Sequence, residues 1–156
     1  MARAGQARLG DARPGLHRLP HGARVHDVPL RAAARALAAW KQHTAATWAA
    51  VSVDDVAADD SPADGGRRTI AATVHPGGLG ADDLVVEVVH GPLDADGNFT
   101  SSSTARLAPV EQRDGSVRYA GAYVPTSAGL YGCTVRALPF HPDLTSPVEL
   151  GRIAWA

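Results

Sequence analysis

The sequence predicts a mainly β protein, an immunoglobulin-like β-sandwich preceded by one amphipathic α-helix and a disordered N-terminal segment. Three observations carry this. From Arg68 onward apolar residues alternate with polar ones over short runs, the period at which one face of a strand is buried. The pairs Asp96-Gly97 and Asp114-Gly115 sit between such runs, and they tolerate the positive φ that tight hairpins use. Finally, Ser127-Ala128-Gly129-Leu130-Tyr131-Gly132-Cys133 has the Gly-x-Tyr-x-Cys spacing that opens a core strand in such sandwiches.

Residues 1–27 are rich in Arg, Ala, Gly, Pro and His and show no apolar period, so they cannot bury enough surface to offset their ordering entropy. They read as disordered, or as sequence not native to the rest of the chain. Residues 28–50 read as a helix. Asp27 supplies an N-cap side chain and Pro29 is tolerated in the first turn. Leu30, Ala33, Leu37, Trp40, Thr44 and Trp48 then recur at three- and four-residue intervals. Trp40 and Trp48 on one stripe read as a docking face in preference to a ligand platform.

Residues 51–67 read as a short strand, Val51-Ser52-Val53, followed by an acidic linker. The carboxylates of Asp54, Asp55, Asp59, Asp60 and Asp64 lack the ordered spacing of a calcium loop, so they read as a solvated connector. Residues 68–156 form the predicted sandwich. Its strands are Arg68 to Val74, Leu84 to Val89, a short run Arg106-Leu107-Ala108, Val117 to Tyr123, Tyr131 to Ala137 and Leu150 to Trp155. Leu84, Val86 and Val88 are assigned to the core and Glu87 to solvent.

In 156 residues there is room for one domain with a sizeable core, and the formal net charge of -1 calls for neither nucleic acid nor an anionic membrane. The single Cys133 excludes a disulfide framework and fits a reducing compartment. No apolar run is long enough to span a membrane and no export signal is visible, so the expected location is cytoplasmic.

Each motif with chemical potential has a structural reading that accounts for it. Cys133 reads as a core filler between sheets, with Tyr131 folding its hydroxyl back onto upstream backbone, because the nearby Arg136 faces the other side. Asp94-Ala95-Asp96-Gly97-Asn98 has its glycine too early for a calcium loop, and Ala105 stands where a bidentate glutamate belongs. His75, His90 and His141 have no spacing that enforces convergence on a metal. Gly77-Gly78-Leu79-Gly80 lacks the lysine and the following helix of a phosphate cradle. No catalytic, cofactor-binding or metal-ligating residue is therefore assigned.

The tail is more specific. Thr134-Val135-Arg136-Ala137-Leu138-Pro139, His141-Pro142, Ser146-Pro147, Glu149-Leu150-Gly151 and the closing Ala154-Trp155 resemble the C-terminal end of bacterial α-glucan phosphorylases of the actinobacterial type. Leu37-Ala38-Ala39-Trp40-Lys41 with Trp48 resembles that family's late helix, and Val86 to Gly91 its terminal β-domain strand, so the likeness covers roughly residues 30–156. The resemblance implies phosphorolysis of an α-1,4-glucan to glucose 1-phosphate in glycogen or maltodextrin breakdown, with pyridoxal phosphate as the cofactor of the full-length protein. It also implies that every match lies in a terminal, non-catalytic module. The expected partner is the catalytic body of an α-glucan phosphorylase, in cis or in trans. The departure of the first 27 residues from the family implies a truncated, frame-shifted or split gene product. A second expectation is a stand-alone carbohydrate-binding sandwich, with Phe99 and Phe140 as its aromatic platform while Trp155 and the tyrosines are at least partly committed to packing.

Overall fold

The computed structural model describes residues 27–59 and 66–156. The disorder expected before Asp27, together with Asp60 and Asp64 of the linker, lies outside the described residues. Helix α1 (Asp27–Thr47) tightens into a 3-10 turn at Trp48–Ala50 and leads into eight strands. These are β1 (Ser52–Ala58), β2 (Arg68–His75), β3 (Leu84–Pro92), β4 (Ser103–Arg106), β5 (Ala108–Arg113), β6 (Ser116–Tyr123), β7 (Tyr131–Pro139) and β8 (Ala154–Trp155). They form two four-stranded sheets in the orders β1-β2-β6-β5 and β4-β3-β7-β8, with antiparallel neighbours throughout. Lettered along the chain, that is A-B-E-D against C-F-G with one added edge strand, the strand order of an immunoglobulin-type sandwich. No helix among the described residues is long and apolar enough to cross a membrane.

Inward-facing residues of both sheets build one core. Ile70, Ala72 and Val74 of β2 and Val117 and Tyr119 of β6 meet Val86 and Val88 of β3 and Val135 and Ala137 of β7. Leu107 is the point where the chain changes sheets. It is buried between β4, on one sheet, and β5, on the other, and its N–H donates to the Val86 carbonyl at 2.9 Å. Gly121 of β6 makes that crossing possible, since a Cβ there would come within 2.7 Å of Leu107 Cδ2.

Four elements differ from the sequence expectation. The strand at Val51–Val53 runs on as β1 through Asp54, Asp55 and Val56, with a bulge between Asp54 and Ala57 where Asp55 takes φ 49°. Part of the predicted acidic linker is thus an edge strand, whose charges discourage further pairing. The run at Arg106–Ala108 is the sheet switch itself, and β5 beyond it is a fully exposed edge strand. The last strand is two residues, because Ser146 and Pro147 start a 3-10 turn at Pro147–Leu150 that ends at Gly151 with φ 60°. Of the two predicted hairpin pairs, only the glycines use the left-handed region, Gly97 at 82° and Gly115 at 75°.

The helical stripe docks on its own sandwich. Trp48 is 7 % exposed and belongs to the core cluster, so the face reserved in sequence for an outside body is spent inside. Trp40 Nε1 donates to Asp83 Oδ1 at 2.8 Å, and the other Asp83 oxygen accepts from the Gly80 N–H at 2.9 Å. The Lys41 ammonium meets Glu149 at 2.7 Å, an exposed pair worth about 0–1 kcal/mol. Thr44 is fully buried, and its hydroxyl has no hydrogen-bond partner among the described residues. Further out the helix is solvent-exposed: residues 29–36 are all exposed, with Leu30 at 68 %.

Trp48→Ala is expected to cost about 3–5 kcal/mol, the range for emptying a buried aromatic site, whereas Leu30→Ala changes stability by less than about 0.5 kcal/mol. Urea midpoints of the two variants check the contrast. Thr44→Val replaces an unpaired buried hydroxyl by a methyl of the same shape and raises stability by about 1 kcal/mol. A loss of stability in that variant would show that the hydroxyl is satisfied.

Candidate functional site

Two arrangements of polar and aromatic side chains emerge from the sheet register. The first lies where β6 ends and β7 begins. His90, on the inward side of β3, is 5 % exposed, and its Nδ1 shares a hydrogen bond with the Tyr131 hydroxyl at 2.8 Å. Its ring stacks on Tyr123 of the opposite sheet at 4.5 Å between centroids, and Tyr131 lies 6.0 Å away on the other strand. The register sets Cys133 opposite His90 and Arg68 opposite Tyr123. Burial holds the Tyr123 hydroxyl up at about 12; a hydrogen bond with the Cys133 thiol adds to this and Arg68 works against it. Burial also lowers the His90 pKa below 6.5.

Tyr131 therefore does less as a corner than the motif suggests. Its contact to the upstream Thr126 N–H is long, 3.5 Å, and the short bond goes to His90. Cys133 packs against the core as a partly buried residue, in line with a filler role.

The second arrangement is on the outer side of the β4-β3-β7-β8 sheet. Arg106, Glu87, Arg136 and Trp155 come from four adjacent strands at one register. Glu87 Oε2 accepts from Arg136 Nε at 3.1 Å and from Nη2 at 2.9 Å. The Arg136 guanidinium lies over the Trp155 ring at 5.6 Å, and that of Arg106 over Phe140 at 5.7 Å. Trp155 is 50 % exposed, in keeping with a ring partly committed to packing: β8 is an edge strand, and no strand lies beyond it in the sheet.

The other sequence candidates are dispersed. His75 is on the surface beside Asp54 at 3.3 Å. His141 packs against Trp40 at 5.0 Å and accepts from the Asp143 N–H. No group of three or more His, Cys, Asp or Glu side chains able to hold a metal forms among the described residues. Asp94 closes its own turn, accepting from the N–H groups of Asp96 and Asn98 at 3.0 and 2.8 Å. The Pro76 to Leu79 segment is a turn whose Gly77 lies so close to Ala50 that a Cβ would meet its backbone at 2.7 Å. Phe99 is 38 % exposed beside its bridge to Leu93, and Phe140 is half-buried; no ring contact joins them.

Surface hollows also lie on the β1-β2-β6-β5 sheet. An open groove of about 810 Å³ follows Ala57, Ala71, Ala120 and Ala122, where small side chains leave the backbone close to solvent. A polar hollow of about 370 Å³ is bordered by Thr73, His75, Arg113 and Arg118. Glu111 at its edge is held below the usual carboxylate range, first by its hydrogen bond to Arg113 and then by that residue's charge.

A helix leading into a two-sheet antiparallel sandwich, with His75, His90, His141 and Cys133 in local contacts, defines a β-sandwich module. The chain matches the family described as "Glycogen phosphorylase C-terminal domain" over residues 48–156, and it belongs to that family. It is 34 % identical over 128 residues to proteins named "Glycogen phosphorylase" from two strains of Mycobacterium tuberculosis, and 33 % identical to one from Mycobacterium bovis. These matches cover 80 % of this chain and 15 % of each relative, so the chain spans a small part of the length of the curated relatives it matches. A match of 128 residues is longer than the segment 48–156 and takes in part of α1 as well. No solved structure matches the chain.

His90 gives a pH signature. Its folded-state pKa lies below the unfolded value, so the unfolded chain binds the extra proton first and stability falls as pH drops below 6.5. The contribution is complete above that pH and is lost as pH falls through the lowered folded value. Urea midpoints between about pH 7 and about pH 5 should fall more steeply for the wild type than for His90→Asn, which has no titrating ring. Equal slopes would remove His90 from the acid response.

Proposed function

We propose that this chain is the non-catalytic C-terminal docking module of an α-glucan phosphorylase-like glycosyltransferase, acting on a catalytic body in cis or in trans. The observation that carries this reading is the division of α1. Its last half is anchored to the sandwich through Trp40, Thr44 and Trp48, while residues 29–36 are exposed on every side and carry Leu30 into solvent. A helix shorter than about 12–15 residues is marginal in water without packing, so a bare half-helix held out from a rigid module is suited to a receiving surface.

On this reading the phosphorolysis of an α-1,4-glucan and its pyridoxal phosphate belong to the catalytic body. The cofactor does not fit the residues of this chain. It is held through a lysine, and the chain's one lysine, Lys41, is on the helix surface in its ion pair with Glu149. No catalytic step is derived from these residues.

The test uses a body from the relatives named above: the Mycobacterium tuberculosis glycogen phosphorylase truncated before its C-terminal domain, mixed with the 156-residue chain. The wild type is expected to co-elute with it on size exclusion. Leu30→Asp should weaken that association at least about tenfold with no change in melting temperature. Absence of any complex with the wild type, or an unaltered complex with Leu30→Asp, sinks the docking role assigned to α1.

A further inference from the structure

A third hollow, of about 220 Å³, opens between the sheets where the chain crosses from β4 to β5. Its apolar walls are the buried Leu84, Val86 and Leu107. Backbone bonds fix the frame around it. The Leu107 N–H donates to the Val86 carbonyl at 2.9 Å, and the Phe140 N–H donates to the Asp83 carbonyl at 2.7 Å. The 3-10 turn Ala81–Asp83 forms one rim, and it is closed by the Asp83 N–H on the Gly80 carbonyl at 3.1 Å.

Three polar groups border this hollow: the Tyr119 hydroxyl, the Asp82 carboxylate and the Arg106 guanidinium, which lies over the Phe140 ring. Among the described residues none of the three has a hydrogen bond or an ion pair. Tyr119 is the telling one, because it is only 3 % exposed and a hydroxyl so placed normally has a partner. Burial raises this hydroxyl above its ordinary value and the charge of Asp82 adds to the rise, so the carboxylate is within electrostatic reach of it.

Size and charge narrow what fits. The hollow exceeds the roughly 150 Å³ that admits a benzene ring and falls short of the roughly 300 Å³ at which drug-sized pockets begin, so it takes one short apolar body. Asp82 disfavours a lone anion and Arg106 a lone cation, whereas a small zwitterion meets both charges at once.

We propose that this hollow binds a free α-amino acid with an apolar side chain. The ammonium donates to Asp82 and to the Tyr119 oxygen, the carboxylate pairs with Arg106, and the side chain enters between Leu84, Val86 and Leu107. The site shares its 3-10 turn with Asp83, the residue that holds Trp40 of α1.

The test needs no catalytic body, so the outcome of the docking experiment leaves it untouched. The full chain, labelled for amide NMR, is titrated with L-leucine. Saturable shifts are expected at Ala81 to Leu84, at Arg106 and Leu107 and at Tyr119, with a Kd in the range of about 0.1–10 mM for so small a ligand. Asp82→Asn and Arg106→Gln should each weaken binding at least about tenfold, and Tyr119→Phe, which keeps the ring, at least about threefold. Melting curves of the variants separate lost binding from lost fold, and the exposed positions of Asp82 and Arg106 make those two the safe ones. No saturable shift in the wild type, or affinity undiminished in both charge variants, overturns the proposal. N-acetyl-leucine and leucine methyl ester, each lacking one charge, should bind at least about tenfold more weakly; affinities equal to that of leucine overturn the zwitterion assignment and the proposal with it. A leucyl peptide that binds as tightly as free leucine shows a site for chain ends and overturns it too.

Discussion

The pairing of β3 with β7 constrains everything else in this molecule. It runs without interruption from Leu84 opposite Pro139 to Pro92 opposite Tyr131, and its parity decides which side chains meet the other sheet. In this register Val86, Val88, Val135 and Ala137 enter the core, and Glu87 and Arg136 meet on the far side. A slip by one residue would send the charged pair inward and the valines out, so the buried face specifies the register strongly. The same ladder sets Cys133 opposite His90 and brings Tyr131 to the end where the two sheets are joined by rings.

That junction explains how the fold manages with a lone thiol. In sandwiches with a disulfide between sheets, a covalent bond ties the strand carrying the second cysteine to the opposite sheet. Here the tie is aromatic: His90 and Tyr131 belong to one sheet, Tyr123 to the other, and the three rings stack within 6.4 Å of one another beside the thiol. Such contacts contribute less than a disulfide but need no oxidant, and hydrogen bonds from Tyr131 to His90 and from Tyr123 to the Cys133 thiol accompany them.

Much of the fold was legible because Arg68–Val74 and Val117–Tyr123 alternate between buried and less buried residues, while Leu84–Val89 is an apolar run broken only by Glu87 and Tyr131–Ala137 carries its turn motif. The elements that were missed have weaker local signals. β5 contains Pro109, Glu111 and Arg113 and is exposed on both sides, so no apolar period marks it; its place is fixed by pairing with β6. β1 continues through acidic residues because an edge strand needs only one partner. The run from Leu150 to Trp155 looked like one strand because the left-handed Gly151 can be read as an ordinary small residue. The row on the outer sheet face was invisible for a different reason. Arg106, Glu87, Arg136 and Trp155 lie far apart in sequence and meet only through cross-strand register, which no local pattern encodes.

The junction between helix and sandwich shows that the working unit is larger than the sandwich. A boundary at Trp48 falls immediately after the last residue of α1, yet the forces cross it. Trp48 fills the core from the turn that ends the helix, Trp40 bonds Asp83 at the foot of β3, and Lys41 reaches Glu149 in the tail. Buried Thr44 keeps an unpaired hydroxyl at a cost of about 1–3 kcal/mol, which burial of the neighbouring tryptophans has to offset. The similarity to mycobacterial glycogen phosphorylases likewise runs past the sandwich into α1. Helix and sandwich are thus joined through Trp40, Lys41 and Trp48, and the exposed first half of α1 extends beyond those contacts.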